Sequence, residues 1–153
     1  MTYKVRWHLP SGSTVIVNMD GNLKIGRYFK VWELANKSSK EDVKLELWTE
    51  SLLFIKIMDA VRDDVGPIDV NSCYRTKSYN RQVGGDPNSA HLKTCAMDVP
   101  GSYVRYLQSF QKRCNDYGVK AAINKYKDYT HMEIFSDQFY GQTQNFVIRD
   151  KTR

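Results

Sequence analysis

Ser89-Ala90-His91-Leu92-Lys93-Thr94-Cys95-Ala96-Met97-Asp98-Val99-Pro100-Gly101 places a histidine in a polar segment seven residues before an aspartate that sits inside a short apolar run. Ala96 to Val99 has the length and composition of a strand, and Pro100-Gly101 ends it. Upstream, Tyr79 to Ser89 is rich in Gly, Pro, Asn and Ser and is broken by Gly84-Gly85 and Asp86-Pro87, so it reads as a surface loop with at most one helical turn. A loop therefore hands one imidazole to the edge of a strand that carries a carboxylate.

The elements on either side complete a mixed architecture. Tyr3 to Leu9 and Thr14 to Asn18 flank Pro10-Ser11-Gly12-Ser13 as a β-hairpin, and Asp20-Gly21-Asn22 marks a second turn. Thr49 is placed to cap a helix over Glu50 to Val65, where Leu52, Ile55, Met58 and Val61 or Ala60 recur at helical spacing before Gly66-Pro67. Ile68 to Ser72 alternates as a strand and delivers Tyr74 and Arg75 to its end. Ser102 caps a second helix, Tyr103 to Tyr117, with Val104, Leu107, Phe110 and Cys114 along one face and Gly118 as its stop. Val119 to Ile123 and Thr130 to Phe135 read as two strands joined by a tight polar turn, and Asn145 to Ile148 adds a last one. The fold class is α+β: a small, mostly antiparallel sheet with helices on one face, in one domain over residues 1–153 with residues 1–28 as an N-terminal hairpin extension.

Composition narrows the function classes without selecting one. Apolar residues make up 41% of the chain, enough for a core and far from the profile of disorder. The richest apolar window, Leu52 to Val61, is interrupted by Lys56 and Asp59, so no membrane span is expected. No apolar stretch follows Lys4 and Arg6, so a cytoplasmic protein without a signal peptide is expected. The net charge of +6 suits nucleic acid and the anionic bacterial wall alike. The densest basic stretch, Lys120 to Lys127, is not interleaved as a stacking platform for bases, so no nucleic-acid partner is expected. Cys73, Cys95 and Cys114 form no CxxC pair and read as reduced thiols.

Of three histidines, His91 precedes Asp98 by seven and His131 follows Asp128 by three, each at the edge of a strand. Two imidazoles and a carboxylate are the donor set of a hydrolytic zinc site, with a fourth position left for water. Spacing alone leaves open the commoner alternative of hydrogen-bonded structural histidines. His8 lies in an alternating β run with no acidic residue nearby in sequence and receives no role.

The wider string runs Ser72-Cys73-Tyr74-Arg75, Tyr79-Asn80, Val83-Gly84-Gly85, then Asn88 to Asp98, then Asp128-Tyr129-Thr130-His131. It resembles the signature of zinc D-Ala-D-Ala carboxypeptidases and the related L-alanyl-D-glutamate endopeptidases of phage endolysins, over about Phe29 to Ile134. The resemblance implies the hedgehog/DD-peptidase fold, one zinc ion on His91, Asp98 and His131, and Asp128 as general base. It also implies that Arg75 binds substrate carboxylate or stabilises the oxyanion, with Tyr74 and Ser89 supporting the substrate site. Glu133, two residues after His131 on the same strand face, either orients a ligand or forms a surface pair. Cys95 falls at a variable position of the motif and reads as packing. The family glycine between the first two ligands is Thr94 here, which asks a side-chain-bearing residue to make the loop's turn.

The implied function is hydrolysis of peptide bonds in peptidoglycan stem peptides by a monomeric phage or prophage endolysin that reaches the wall after release. A D-Ala-D-Ala carboxypeptidase and a non-catalytic zinc-containing wall-binding module are the alternatives.

Overall fold

The computed structural model describes residues 1–37, 44–135 and 145–152. The hairpin forms as the pattern requires: β1 (Thr2–His8) and β2 (Thr14–Asp20) pair antiparallel from Thr2 opposite Asp20 to His8 opposite Thr14. Tyr3 and Val5 of β1 are buried in the same apolar cluster as the rest of the chain, so the first strand is built into the core. A two-residue ladder, β3 (Lys24–Ile25) with β4 (Phe29–Lys30), leads into the short helix α1 (Val31–Leu34). A strand the sequence analysis leaves unassigned, β5 (Lys44–Leu47), runs parallel to β1 and completes a sheet of order β2-β1-β5. Its alternation buries Leu45 and Leu47.

Helix α2 (Thr49–Val65) begins one residue earlier than expected, with Trp48 rather than Thr49 as its cap. The Trp48 N–H donates to Ser51 Oγ at 2.8 Å, and that hydroxyl donates on to the Lys93 carbonyl at 2.6 Å, tying the helix start to the loop after His91. Ile55, Met58 and Val61 are buried as their spacing requires, joined by Phe54 and Ile57, while Leu52 faces outward. Each such burial contributes about 1.5–3 kcal/mol before the entropy of ordering is subtracted.

The strand expected over Ile68 to Ser72 does not form. Pro67 has no N–H to give, and the backbone that follows finds scattered partners: Asn36 Nδ2 donates to the Val70 carbonyl, and Tyr74 N donates to the Leu34 carbonyl. Only a single bridge, Ser72 with Asp98, survives. The polar segment after Arg75 contains more helix than expected: α3 (Lys77–Gln82), capped by Thr76, whose Oγ1 accepts from Tyr79 N, and a 3-10 turn over Ala90–Lys93 capped by Ser89.

The second sheet carries the site. β6 (Ala96–Pro100), β7 (Ala121–Lys125), β8 (Tyr129–Ile134) and β9 (Phe146–Asp150) stand in the order β6-β8-β7-β9, antiparallel except for the parallel β7–β9 pair. Met97, Ile123 and Met132 fill one face, against which α4 (Tyr103–Asp116) packs, with Phe110 of the helix against Phe146 of β9, ring centroids 5.8 Å apart. Ser102 caps α4 as expected, accepting from Val104 N at 3.3 Å. The buried stripe of α4 is Tyr106, Ser109, Phe110 and Cys114, and Val104, expected inside, is 69% exposed. Tyr106 hydroxyl donates to the Pro100 carbonyl, which anchors that stripe and turns Val104 outward. No described helix is long and apolar enough to cross a membrane.

Candidate metal centre

Strand alternation puts polar residues on the other face of the second sheet, and the register aligns them. Asp98 on β6 stands opposite His131 on β8, His131 opposite Asn124 on β7, and Asn124 opposite Arg149 on β9. This cross-strand row forms part of the wall of a cavity of about 660 Å³. The 3-10 turn lays His91 over the first end of that row.

Among the described residues, one atom each from His91, Asp98 and His131 lie within 4.8 Å of one another, all three residues being buried. His91 Nδ1 lies 2.7 Å from the Cys73 carbonyl, which can only accept, so Nδ1 carries the hydrogen. Burial pushes the His91 pKa down and outweighs the pull of Asp98, so the ring is neutral and Nε2 bears a lone pair. That buried Nε2 makes no hydrogen bond and faces Asp98 Oδ2 at 3.3 Å, acceptor against acceptor. A cation between them resolves that opposition, and two imidazoles with a carboxylate are the donors zinc takes.

The neighbours hold these donors in place. Burial by itself would raise the Asp98 carboxyl, but His131 and His91 outweigh it and keep the group well below the usual carboxylate range. Arg75 donates from Nη2 to Asp98 Oδ2 at 3.1 Å, from Nε to Ser72 Oγ at 3.0 Å and from Nη1 to Asn80 Oδ1 at 3.4 Å. Asn80 also donates from Nδ2 to the Asp86 carbonyl, and a Cβ on Gly85 would meet its Oδ1 at 2.0 Å, so Asn80 and Gly85 together fix the loop that rims the cavity.

The other residues singled out in the sequence divide. Ser89 Oγ accepts from His91 N at 3.2 Å, and Ser89 lines both the main cavity and a neighbouring one of about 450 Å³. Tyr74 lines only that second cavity and donates to Glu46 Oε2 at 2.9 Å. Asp128 lies exposed in the turn between β7 and β8 and does not line the cavity, although its neighbour Tyr129 does. Glu133 does line it, with Oε1 at 3.1 Å from His131 Nε2 and 3.3 Å from Arg149 Nη1, so it touches a candidate ligand and forms an ion pair as well. Burial raises the Cys95 thiol to about 12, consistent with a packing role, and all three cysteines are free. Thr94 adopts φ 54°, ψ 40°, the left-handed conformation that glycine takes most easily, and its hydroxyl donates to the Glu46 carbonyl at 2.6 Å. His8, given no role, bonds Glu46 and stacks on Trp48.

A family model described as Peptidase M15 matches residues 27–133, more than two thirds of the chain. The chain belongs to the Peptidase M15 family. The matched span of this M15 peptidase domain contains Arg75, His91, Asp98, His131 and Glu133 and stops before β9. Asn124 and Arg149 escaped the sequence analysis because their place depends on strand register, which no local pattern in the chain encodes. No curated protein matches the chain.

Proposed function

We propose that this M15 peptidase is a zinc metallopeptidase that hydrolyses peptide bonds in the stem peptides of bacterial peptidoglycan, as a phage or prophage endolysin does. The observation that carries the reading is the His91 Nε2 lone pair set against Asp98 Oδ2 beside His131, at the wall of an open cavity. M15 peptidases are typically zinc-dependent, and the donor set here fits that metal. When bound, zinc supplies Lewis-acid polarisation of the scissile carbonyl and a water whose pKa falls to about 7.

The chain's own residues supply the rest. Arg75 fixes Asp98, and the residue also lines both cavities, where a substrate carboxylate or developing oxyanion would lie. Asp128, the general base the resemblance implies, lies exposed in the turn before His131 and off the cavity wall, so for it to take a proton from the attacking water and return it to the leaving amine that turn must close over the cavity. Ser89 holds the turn that presents His91, and Tyr74 braces the wall of the adjoining cavity. Peptidoglycan suits the charge, since a chain of net +6 meets an anionic wall.

The test is clearing of purified cell wall in a gel overlay by zinc-loaded protein, repeated after chelation. Clearing that chelator abolishes and zinc restores supports the reading; binding to wall fragments with no clearing selects the non-catalytic module.

A further inference from the structure

The row Asp98–His131–Asn124–Arg149 continues past the metal donors to the edge of the sheet, and Lys151 follows Arg149 onto the same cavity wall. Both cations lie beyond residue 133, outside the segment matched to the family. Adjacent strands are about 4.8 Å apart, so β9, two strands from β8, sets Arg149 about 10 Å from the line of His131, a span of about three residues of extended peptide.

Arg75 does not fill this place, because its bonds to Asp98, Ser72 and Asn80 hold it at the Asp98 end of the row. Arg149 is held more loosely. Among the described residues its two hydrogen bonds both leave from Nη1 and are long, 3.4 Å to Asn124 Oδ1 and 3.3 Å to Glu133 Oε1, and its side chain is 36% exposed. Glu133 is shared with His131, which leaves it a weak counter-charge for Arg149. Lys151 is exposed, and its backbone N–H on the Lys125 carbonyl at 2.7 Å keeps it beside β7.

We propose that Arg149 and Lys151 form an anion subsite that binds a peptide carboxylate about three extended residues from the metal donors. This rests on the peptidase reading and names a feature of the substrate that the reading leaves open. The guanidinium fork engages both carboxylate oxygens, and Lys151 adds a second charge at the rim. A substrate that is amidated at that carboxylate loses this recognition.

The experiment uses the full chain and two synthetic peptides, L-Ala-γ-D-Glu-L-Lys-D-Ala and its C-terminal carboxamide. Dissociation constants are measured by calorimetry on the metal-free protein, and kcat/KM on the zinc-loaded protein. The expected result is about a tenfold preference for the acid in both readouts, retained by Arg149→Lys and lost in Arg149→Gln and in Lys151→Glu. Lys151→Glu changes an exposed side chain, so it carries the test if Arg149→Gln perturbs folding. Equal handling of acid and amide by the wild type, or a preference that survives Lys151→Glu, overturns the subsite and leaves the peptidase reading standing. If the wild type neither binds nor cuts either peptide, both readings fall.

Discussion

Glu133 Oε1 lies 3.1 Å from His131 Nε2 while the opposite ring nitrogen, Nδ1, lies 2.8 Å from Asp98 Oδ1. The imidazole is thus clamped between two carboxylates, and a metal taken up at Nδ1 leaves Nε2–H to donate to Glu133, fixing both tautomer and ring plane. Glu133→Gln is expected to lower zinc affinity about 10–100-fold. Competition against a chromophoric chelator measures it, and an unchanged affinity contradicts the orienting role.

The same clamp makes metal uptake pH-dependent. Burial favours the neutral His131 ring, but hydrogen bonds to Asp98 and Glu133 prevail and push its pKa up to about 9. In the metal-free protein the ring is therefore charged at neutral pH, and zinc must displace that proton. Zinc affinity is expected to rise up to about tenfold per pH unit from pH 7 and to flatten above about 9, with close to one proton released per ion by His131 at pH 7. The sign for stability is the reverse: a raised folded-state pKa gives the metal-free protein stabilisation that is full below about 6.5 and is lost as pH rises through about 9. Calorimetry in buffers of different ionisation enthalpy counts the protons.

Much of this arrangement was legible in the chain. The hairpin, the two long helices and the strands flanking His131 follow from local periodicity and caps, which depend on nearest neighbours. His91, Asp98 and His131, which the fold brings together, stand out in the sequence through their company with Arg75 and Asp128. What escaped depends on distant partners: Ile68 to Ser72 alternates like a strand, yet its backbone bonds to Asn36 and Asp98. Lys44–Leu47 is four residues long and gains its identity only beside β1. Arg149 reaches the site through a parallel pairing with β7 that no local signal encodes.

Thr94 holds the left-handed turn with one compensating hydrogen bond, to the Glu46 carbonyl. Thr94→Ala keeps the strain and loses that bond, and is expected to cost about 1–2 kcal/mol. Thr94→Gly loses the bond but relieves the strain, and is expected to be more stable than the alanine variant by about 1 kcal/mol. Denaturant unfolding of the three proteins decides the order; a glycine variant below alanine removes the strain argument.

Asp64 joins α2 to α4, accepting from Arg113 Nε at 2.9 Å and Nη2 at 2.6 Å and from Ser109 Oγ at 2.6 Å. Arg113 first, then Ser109, lowers the Asp64 pKa to about 2. A lowered folded-state pKa gives stabilisation present above the unfolded value, about 4, and lost as pH falls through about 2. Asp64→Asn is expected to melt at a lower temperature than wild type near pH 6 and to close the gap toward pH 2. A difference independent of pH contradicts the ion-pair origin.

The central claim, a zinc peptidase centre on His91, Asp98 and His131 served by Asp128, meets its most direct test in mass spectrometry of the fragments released from defined muropeptides. Zinc-loaded wild type is expected to release a single pair of peptide fragments, while His91→Ala neither retains zinc nor cuts, and Asp128→Ala retains zinc and does not cut. Undiminished cleavage by His91→Ala, or by the chelated wild type, contradicts the metal centre, and cleavage by Asp128→Ala at the wild-type rate removes Asp128 from the mechanism.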